Sequence, residues 1–337
     1  MANIKDVAAY CNVAVSTVSR VLNDHPDVSP KTRAKVLAAA RELHYVPNNA
    51  ARDLVRPQTD SLGVVVRGAE NPFFTPVIRA IERSCEAAGY TMFLHQIPAG
   101  ADEVAEGAAL VQSKRLRGLI LLGGRYDYTP ADVAAFGVPF VCCTFTNHFG
   151  DLEATAFSSV SINDKGEAYR ATKTLIDHGH TKIAILLDSI HDRSISERRH
   201  KGYCEALADA GIPYDEDLVV ETVDFSMEAA YRQMSALLER RRDFTAIFAV
   251  ADSMAIAAMK ALADAGLRVP DDVSIIAIDG IEMSNYTVPT LTTLVQPTAT
   301  LGERAVEILV DVLSGGEDGQ HIRLDTTLRP GGTVGRA

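Results

Sequence analysis

Several residues suited to gripping a small molecule stand directly after short apolar runs of this 337-residue chain. Arg67 follows Val64-Val65-Val66, and Phe73 and Phe74 come in the next loop. Arg125 follows Leu121-Leu122-Gly123-Gly124, and Arg193 and Arg199 come after the run 182–187. Phe225, Asp252 and Asp279 stand after the runs that end at Val223, Val250 and Ile278. Aromatic rings stack on a ligand face, and arginines and carboxylates hydrogen-bond its polar substituents. This is the chemistry of recognition. The chain has no GxxxxGK[ST], GxSxG or HExxH pattern, and the strand-end positions hold no convergent nucleophile and base. No cofactor is called for. His178-Gly179-His180 is better explained as a helix end with a glycine stop than as a metal site.

A second set of residues suits a different partner. In the run 15–22, Val15, Val18 and Leu22 can face inward while Ser16, Thr17, Ser19 and Arg20 face out. Small polar residues with one arginine are what the second helix of a helix-turn-helix needs in a DNA major groove. An ordinary helical hairpin would show the same apolar spacing.

Elements must position both sets. Residues 1–45 read as three short helices. Val7, Ala8 and Cys11 lie on one face of the first, and Asn12-Val13-Ala14 form a turn. The third begins at Ser29-Pro30, with Val36, Ala40 and Leu43 inward. A short helical segment, 48–56, sits between Pro47 and Pro57 and is too short to be stable alone. Its Leu54 suits a wedge into a minor groove, or docking on the next domain. From Ser61 onward strands and helices alternate. Strands are predicted at 62–66, 91–96, 118–122 and 139–143, and a second set begins near Val160 with strands at 182–187, 218–223, 246–250 and 274–278. The continuous apolar runs suit parallel sheets covered on both faces. The expected fold is a small all-α head with a hinge helix, then an α/β domain of two doubly wound lobes with a cleft between them. The expected limits are 1–47 for the head, 48–60 for the hinge and 61–337 for the rest. One lobe is assigned about 61–159 and 291–318, the other about 160–290 and 319–337.

Composition agrees. The net charge is −11, yet residues 1–60 carry +2 and the remainder −13, a mildly basic head on an acidic body. The five cysteines include no CxxC pair, so neither a disulfide framework nor a zinc site is expected. The absence of a long apolar run or a signal-peptide core leads us to expect a cytoplasmic protein without a membrane partner.

The runs Ile4-Lys5-Asp6-Val7-Ala8, 15–23, 28–33, 43–48 and Ala51-Arg52-Asp53-Leu54 together resemble the lactose-repressor/galactose-repressor (LacI/GalR) family. The resemblance continues through Asn71-Pro72-Phe73-Phe74, Gly179-His180, 199–202, 266–274 and 289–293. It implies a transcription regulator, most often a repressor, that binds a near-palindromic double-stranded operator as a homodimer and responds to a small-molecule effector. It implies base-reading roles for Val15, Ser16 and Arg20, with Thr17, Ser19, Asn23, Asn48, Ala51 and Arg52 also at the DNA and Leu54 as the minor-groove wedge. It implies effector contacts at Phe73, Arg193, Arg199, Phe225 and Asp279, beside Arg67, Phe74, Arg125 and Asp252 from the strand-end rule. Thr144 stands where relatives often carry Asp, and Ala251 where sugar-binding relatives often carry Asn. Ala14 replaces a usual capping serine. These departures leave two readings of the effector: an anionic sugar derivative held by arginines, or a neutral sugar with Arg67 and Arg125 in ion pairs. A stand-alone sugar-binding protein of the periplasmic type is the alternative function, and an enzyme on the same scaffold is the other rival.

Overall fold

A computed structural model describes residues 4–22, 27–43, 59–191, 193–222 and 224–337. Asn23, Asn48, Ala51, Arg52 and Leu54 therefore lie outside the described residues. The chain divides into two compact units, 1–59 and 60–337.

The first unit holds α1 (Ile4–Tyr10), α2 (Val15–Leu22) and α3 (Pro30–Glu42). Val7, Ala8 and Cys11 meet Val18, Val21, Val36, Ala39 and Ala40 in one small core. Ser29 caps α3 by accepting the Thr32 amide at 3.2 Å, with Pro30 at the first helical position. Tyr10 donates its hydroxyl to Glu42 at 2.8 Å, tying α1 to α3.

The second unit contains two six-stranded sheets. Its first lobe runs β1 (Ser61–Arg67), α4 (Phe74–Ala87), β2 (Thr91–Ile97), α5 (Glu103–Lys114), β3 (Gly118–Leu122), α6 (Pro130–Ala134), β4 (Phe140–Cys143) and β5 (Ser158–Ile162). The chain then enters the second lobe through α7 (Asp164–Asp177), β6 (Ile183–Leu187), α8 (Ile195–Asp209), β7 (Val219–Glu221), α9 (Met227–Arg240), β8 (Ala246–Ala249), α10 (Asp252–Asp264), β9 (Ser274–Asp279) and β10 (Thr292–Val295). It returns through α11 (Thr298–Leu313) and β11 (His321–Leu324), and crosses once more to β12 (Thr327–Arg329). The first sheet is ordered β11-β5-β4-β3-β1-β2 and is parallel throughout. The second is ordered β12-β10-β9-β8-β6-β7, with β12 antiparallel at its edge.

The lobe limits differ from those read in the sequence. β5 belongs to the first sheet although Val160 read as the start of the second, β10 belongs to the second sheet, and β11 to the first. A strand's apolar pattern reports that it is buried, not which sheet it joins. The three crossings fall at about 163, 296–297 and 325–326.

The apolar runs behave as buried parallel strands should. Val64, Ile120, Val141 and Val160 pack beneath α4 and α11, while Val65, Leu119, Leu121 and Cys142 pack on the opposite face. Gly302 lets α11 approach α4 closely, since a Cβ there would lie 2.7 Å from the Val77 carbonyl. In the second lobe, Ile185, Ile247, Phe248 and Ile276 form the centre of one continuous core. Gly179, at φ +96°, stops α7, and the His180 amide returns to the Leu175 carbonyl. Among the described residues no helix is long and apolar enough to cross a membrane.

Candidate functional site

Strand register decides which residues meet in the cleft. Val66, Leu122 and Cys143 are aligned, so Arg67, Gly123 and Thr144 emerge side by side from the first sheet. In the second sheet Leu186, Ala249 and Ala277 are aligned, and two residues on from each stand Asp188, Ala251 and Asp279. Both sets leave the carboxyl ends of parallel strands, where ligands bind in open α/β sheets.

A cavity of about 280 Å³ lies there. Arg67, Phe73, Phe74 and Thr144 line it from the first lobe, and Arg199, Phe225 and Asp279 from the second. Asn71, Tyr126, Phe145, Asp188, Ser194 and Gln296 line it too and are not among the residues singled out in the sequence, although Asp188, directly after β6, is one the strand-end rule reaches. Asn71 is visible in the sequence as the head of Asn71-Pro72-Phe73-Phe74. Gln296 follows β10, a strand that periodicity alone does not reveal.

The floor is a buried polar network. Arg199 donates through Nε and Nη2 to Asp164 Oδ1 at 3.1 and 3.0 Å and through Nη1 to the Val250 carbonyl. Its Nη1 also lies 3.8 Å from Asp279. Asp279 accepts from Asn71 of the first lobe at 3.3 Å and from Gln296 at 2.9 Å. Tyr126 donates its hydroxyl to Asp164 at 3.1 Å. Burial pushes the Asp279 carboxyl up to about 7, Arg199 opposes the rise and Asp252 adds to it. Burial likewise raises Asp164 against the pull of Arg199. Thr144 at φ +75° and Asp279 at φ +142° hold unusual backbone conformations at the cavity wall, where the packed frame must enforce them.

Three residues expected at the cavity lie elsewhere. Asp252 is fully buried and turned back into its own lobe. It accepts the amides of Gly280 and Ile281, both at 3.0 Å, and the Thr293 hydroxyl at 2.5 Å. It clips the loop after β9 instead of reaching ligand, because a carboxylate at the start of α10 finds those donors first. The Arg193 side chain is exposed and lies 5.0 Å from the centre of the Phe149 ring. Arg125 points at Asp127 and Glu103, 3.8 Å from each. Glu103, at 0% exposure, also faces Arg67 at 3.6 Å and accepts from the Tyr128 hydroxyl at 2.7 Å. The four arginines expected to hold an anion are thus reduced to two at the cavity, each facing carboxylates.

In the head, Val18 and Val21 form the buried stripe of α2. The apolar spacing places Val15 inward with Leu22, but Val15 is 40% exposed, because the stripe that meets α1 and α3 starts one turn later. Ser16 and Arg20 are exposed, and Thr17 and Ser19 are half-buried. Val15, Ser16, Ser19 and Arg20 therefore occupy the outer side of α2, with Asn12 at φ +48° in the turn before it. The Ala14 carbonyl accepts from the amides of Thr17 and Val18.

Residues 3–48 match the family of bacterial regulatory proteins of the lacI type, and 172–334 match a periplasmic binding protein-like domain. The chain is 39% identical over 328 residues to the HTH-type transcriptional regulator MalR of Clostridium butyricum, covering 97% of each. It belongs to the LacI family. The structure of a LacI-family member, the Lac repressor dimer bound to operator and the anti-inducer ONPF, matches with a TM-score of 0.81 at 26% identity, covering 99% of each chain. The complex of the transcriptional regulator CelR with cellobiose matches at 31% identity, covering 99% of this chain and 100% of that one, with a TM-score of 0.73. This chain is a LacI-family transcriptional regulator, and neither a stand-alone binding protein nor an enzyme describes it.

Proposed function

We propose that this LacI-family regulator is a cytoplasmic homodimeric repressor whose operator affinity is lowered by a neutral sugar bound between its two lobes. The observation that carries the effector class is the charge balance of the cavity. Its charged lining is Arg67, Arg199, Asp188 and Asp279, and the two arginines already face Glu103, Asp164 and Asp279. An anion would have to displace these carboxylates. A polyol needs paired donors and acceptors below and an aromatic wall for its C–H face, and Phe73, Phe74, Tyr126 and Phe225 supply that wall. The complex of the similar regulator CelR with cellobiose points the same way.

The dimer reading is supported by an apolar patch in the second lobe, where Tyr286 is 76% and Val288 95% exposed. A two-fold dimer would present two copies of α2 to a near-palindromic operator. In this reading residues 1–47 form the head and 48–60 the hinge, with Leu54 wedged into the minor groove at the operator centre. The test is selection from a random DNA library with purified protein, with and without neutral mono- and disaccharides. Enrichment of one palindrome, weakened by a sugar and by Leu54→Ala, is expected. An enriched site that responds only to acidic or phosphorylated sugars would overturn the effector class, and enrichment only when sugar is added would overturn the inducer sign.

A further inference from the structure

The loop after β4 separates the effector cavity from a second cavity of about 340 Å³. Thr146, His148, Ser159, Ser161, His321 and Arg323 supply its polar lining, and no carboxylate lines it. The His148 ring stacks on Tyr126, 5.7 Å between centres and 9° between planes. Tyr126 lines the effector cavity, so one aromatic pair touches both spaces.

The second lobe brings cations to the same loop. Lys201 Nζ, on α8, lies 4.3 Å from the centre of the Phe149 ring, with Arg193 on that ring as well. Arg198, on the same turn of α8, has a buried Nε without a hydrogen-bond partner. Among the described residues neither Arg198 nor Arg323 forms an ion pair, while Lys201 is shared with Glu197 at 2.9 Å. His148 feels this surplus. Burial together with Arg198, Arg323 and Lys201 pushes its imidazole down to about 4, so at neutral pH it is an uncharged hydrogen-bonding group among cations.

We propose that this second cavity binds a small phosphate-bearing anion, held by Arg323 and His148, which line it. Arg198 and Lys201 of the second lobe, whose charge reaches His148, add to the attraction. A phosphate offers three oxygens and close to two charges, which suits several separate donors better than a single carboxylate does. Arg323 and Arg198 both bear on His148, while Arg198 also feels the buried Asp164 carboxylate, so an anion beside His148 would give Arg323 the counter-charge that Asp164 gives Arg198. The anion would attract cations of both lobes and favour lobe closure along this flank. The Tyr126–His148 stack would then link its affinity to that of the effector.

Calorimetry on the full chain tests this with inorganic phosphate, a hexose phosphate and the unphosphorylated hexose at constant ionic strength. Both phosphates are expected to bind at one site per chain, and the binding should persist in Phe225→Ala, which cripples the effector cavity. Arg323→Gln should weaken it about tenfold, the loss of one charge-assisted hydrogen bond, Arg198→Gln should weaken it less, through the lost charge alone, and Arg323→Lys should retain most of it. Binding of the hexose phosphate alone would make the sugar part of the ligand, and equal binding of both would make the phosphate sufficient. Absence of phosphate binding at millimolar concentration overturns the proposal. So does binding that disappears in Phe225→Ala yet survives in Arg323→Gln, because the anion then sits in the effector cavity.

Discussion

Arg199 and Asp164 form a buried fork, with two guanidinium nitrogens on one carboxylate oxygen at 3.1 and 3.0 Å. Asp164 opens α7 just after the chain leaves the first sheet, and Arg199 lies in the second turn of α8. The pair therefore joins the first lobe crossing to the floor of the effector cavity. A buried ion pair adds little net stability compared with an apolar substitute, but removing one member strands the other.

Arg199→Leu should consequently do two kinds of damage. Stability in urea should fall by about 3–5 kcal/mol, because Asp164 is left buried without its cation. Sugar binding by calorimetry should be lost, since Arg199 lines the cavity and orients Asp279. A variant of unchanged stability would show that Asp164 is satisfied by other donors.

The pH response should centre on Asp279. Its carboxyl is raised from 3.8 to about 7 by burial, with Arg199, Asn71 and Gln296 opposing the rise and Asp252 reinforcing it. The folded state thus holds this proton more tightly than the unfolded chain. Its contribution to stability is fullest below about pH 4 and is lost as the pH rises to about 7. Sugar hydroxyls donate better to the ionised form, so sugar affinity should rise between pH 6 and pH 8. Asp279→Asn should flatten that rise, and an unchanged slope in the variant would assign it to another group.

Asp252 and Arg125 should separate structure from recognition. Asp252→Ala leaves the Gly280 and Ile281 amides and the Thr293 hydroxyl without their acceptor, at a cost of about 3 kcal/mol. Arg125→Ala removes a side chain that is 38% exposed and outside the cavity lining, and sugar affinity should change less than about twofold. A large loss in Arg125→Ala would restore the anionic reading of the effector.

On the head, Val15 and Arg20 should set operator choice. Arg20→Ala should cost about 1–3 kcal/mol of operator binding and relax the preference at one base position of each half-site. Replacing the exposed Val15 by Tyr should change the enriched sequence without unfolding the head, because Val18 and Val21 carry the core contact. Library selection reads both outcomes.

In the second lobe, Val288→Asp combined with Tyr286→Asp should shift sedimentation from dimer to monomer. Both side chains are exposed in the single chain, so the fold itself should survive. An unchanged dimer would place the interface elsewhere.

Much of the fold and of the cavity is legible in local sequence. Apolar runs and helix periods locate most of the strands and helices, and Ser29-Pro30 marks the start of α3 because capping is chemistry between neighbours. The strand-end rule reaches Arg67, Phe73, Phe74, Arg199, Phe225 and Asp279, since parallel strands must release their next residues at the cleft. It fails at Asp252, Arg125 and Arg193, where position along the chain is right and side-chain direction is not. Helical spacing also misjudges Val15, whose apolar side chain alone argues for burial.

The sequence by itself determined the kind of molecule: an all-α helix-turn-helix head, and two lobes of alternating strand and helix. These follow from local periodicity and from turn and cap residues, which act over a few positions. Only the tertiary structure decided the balance of charge in the cleft. Glu103 meets Arg67 and Arg125 from a separate helix, and Asn71 reaches Asp279 across 208 residues of chain. Three crossings between the sheets bring these groups together. Whether a buried arginine is free to hold an anion depends on such distant partners, and no local pattern records them.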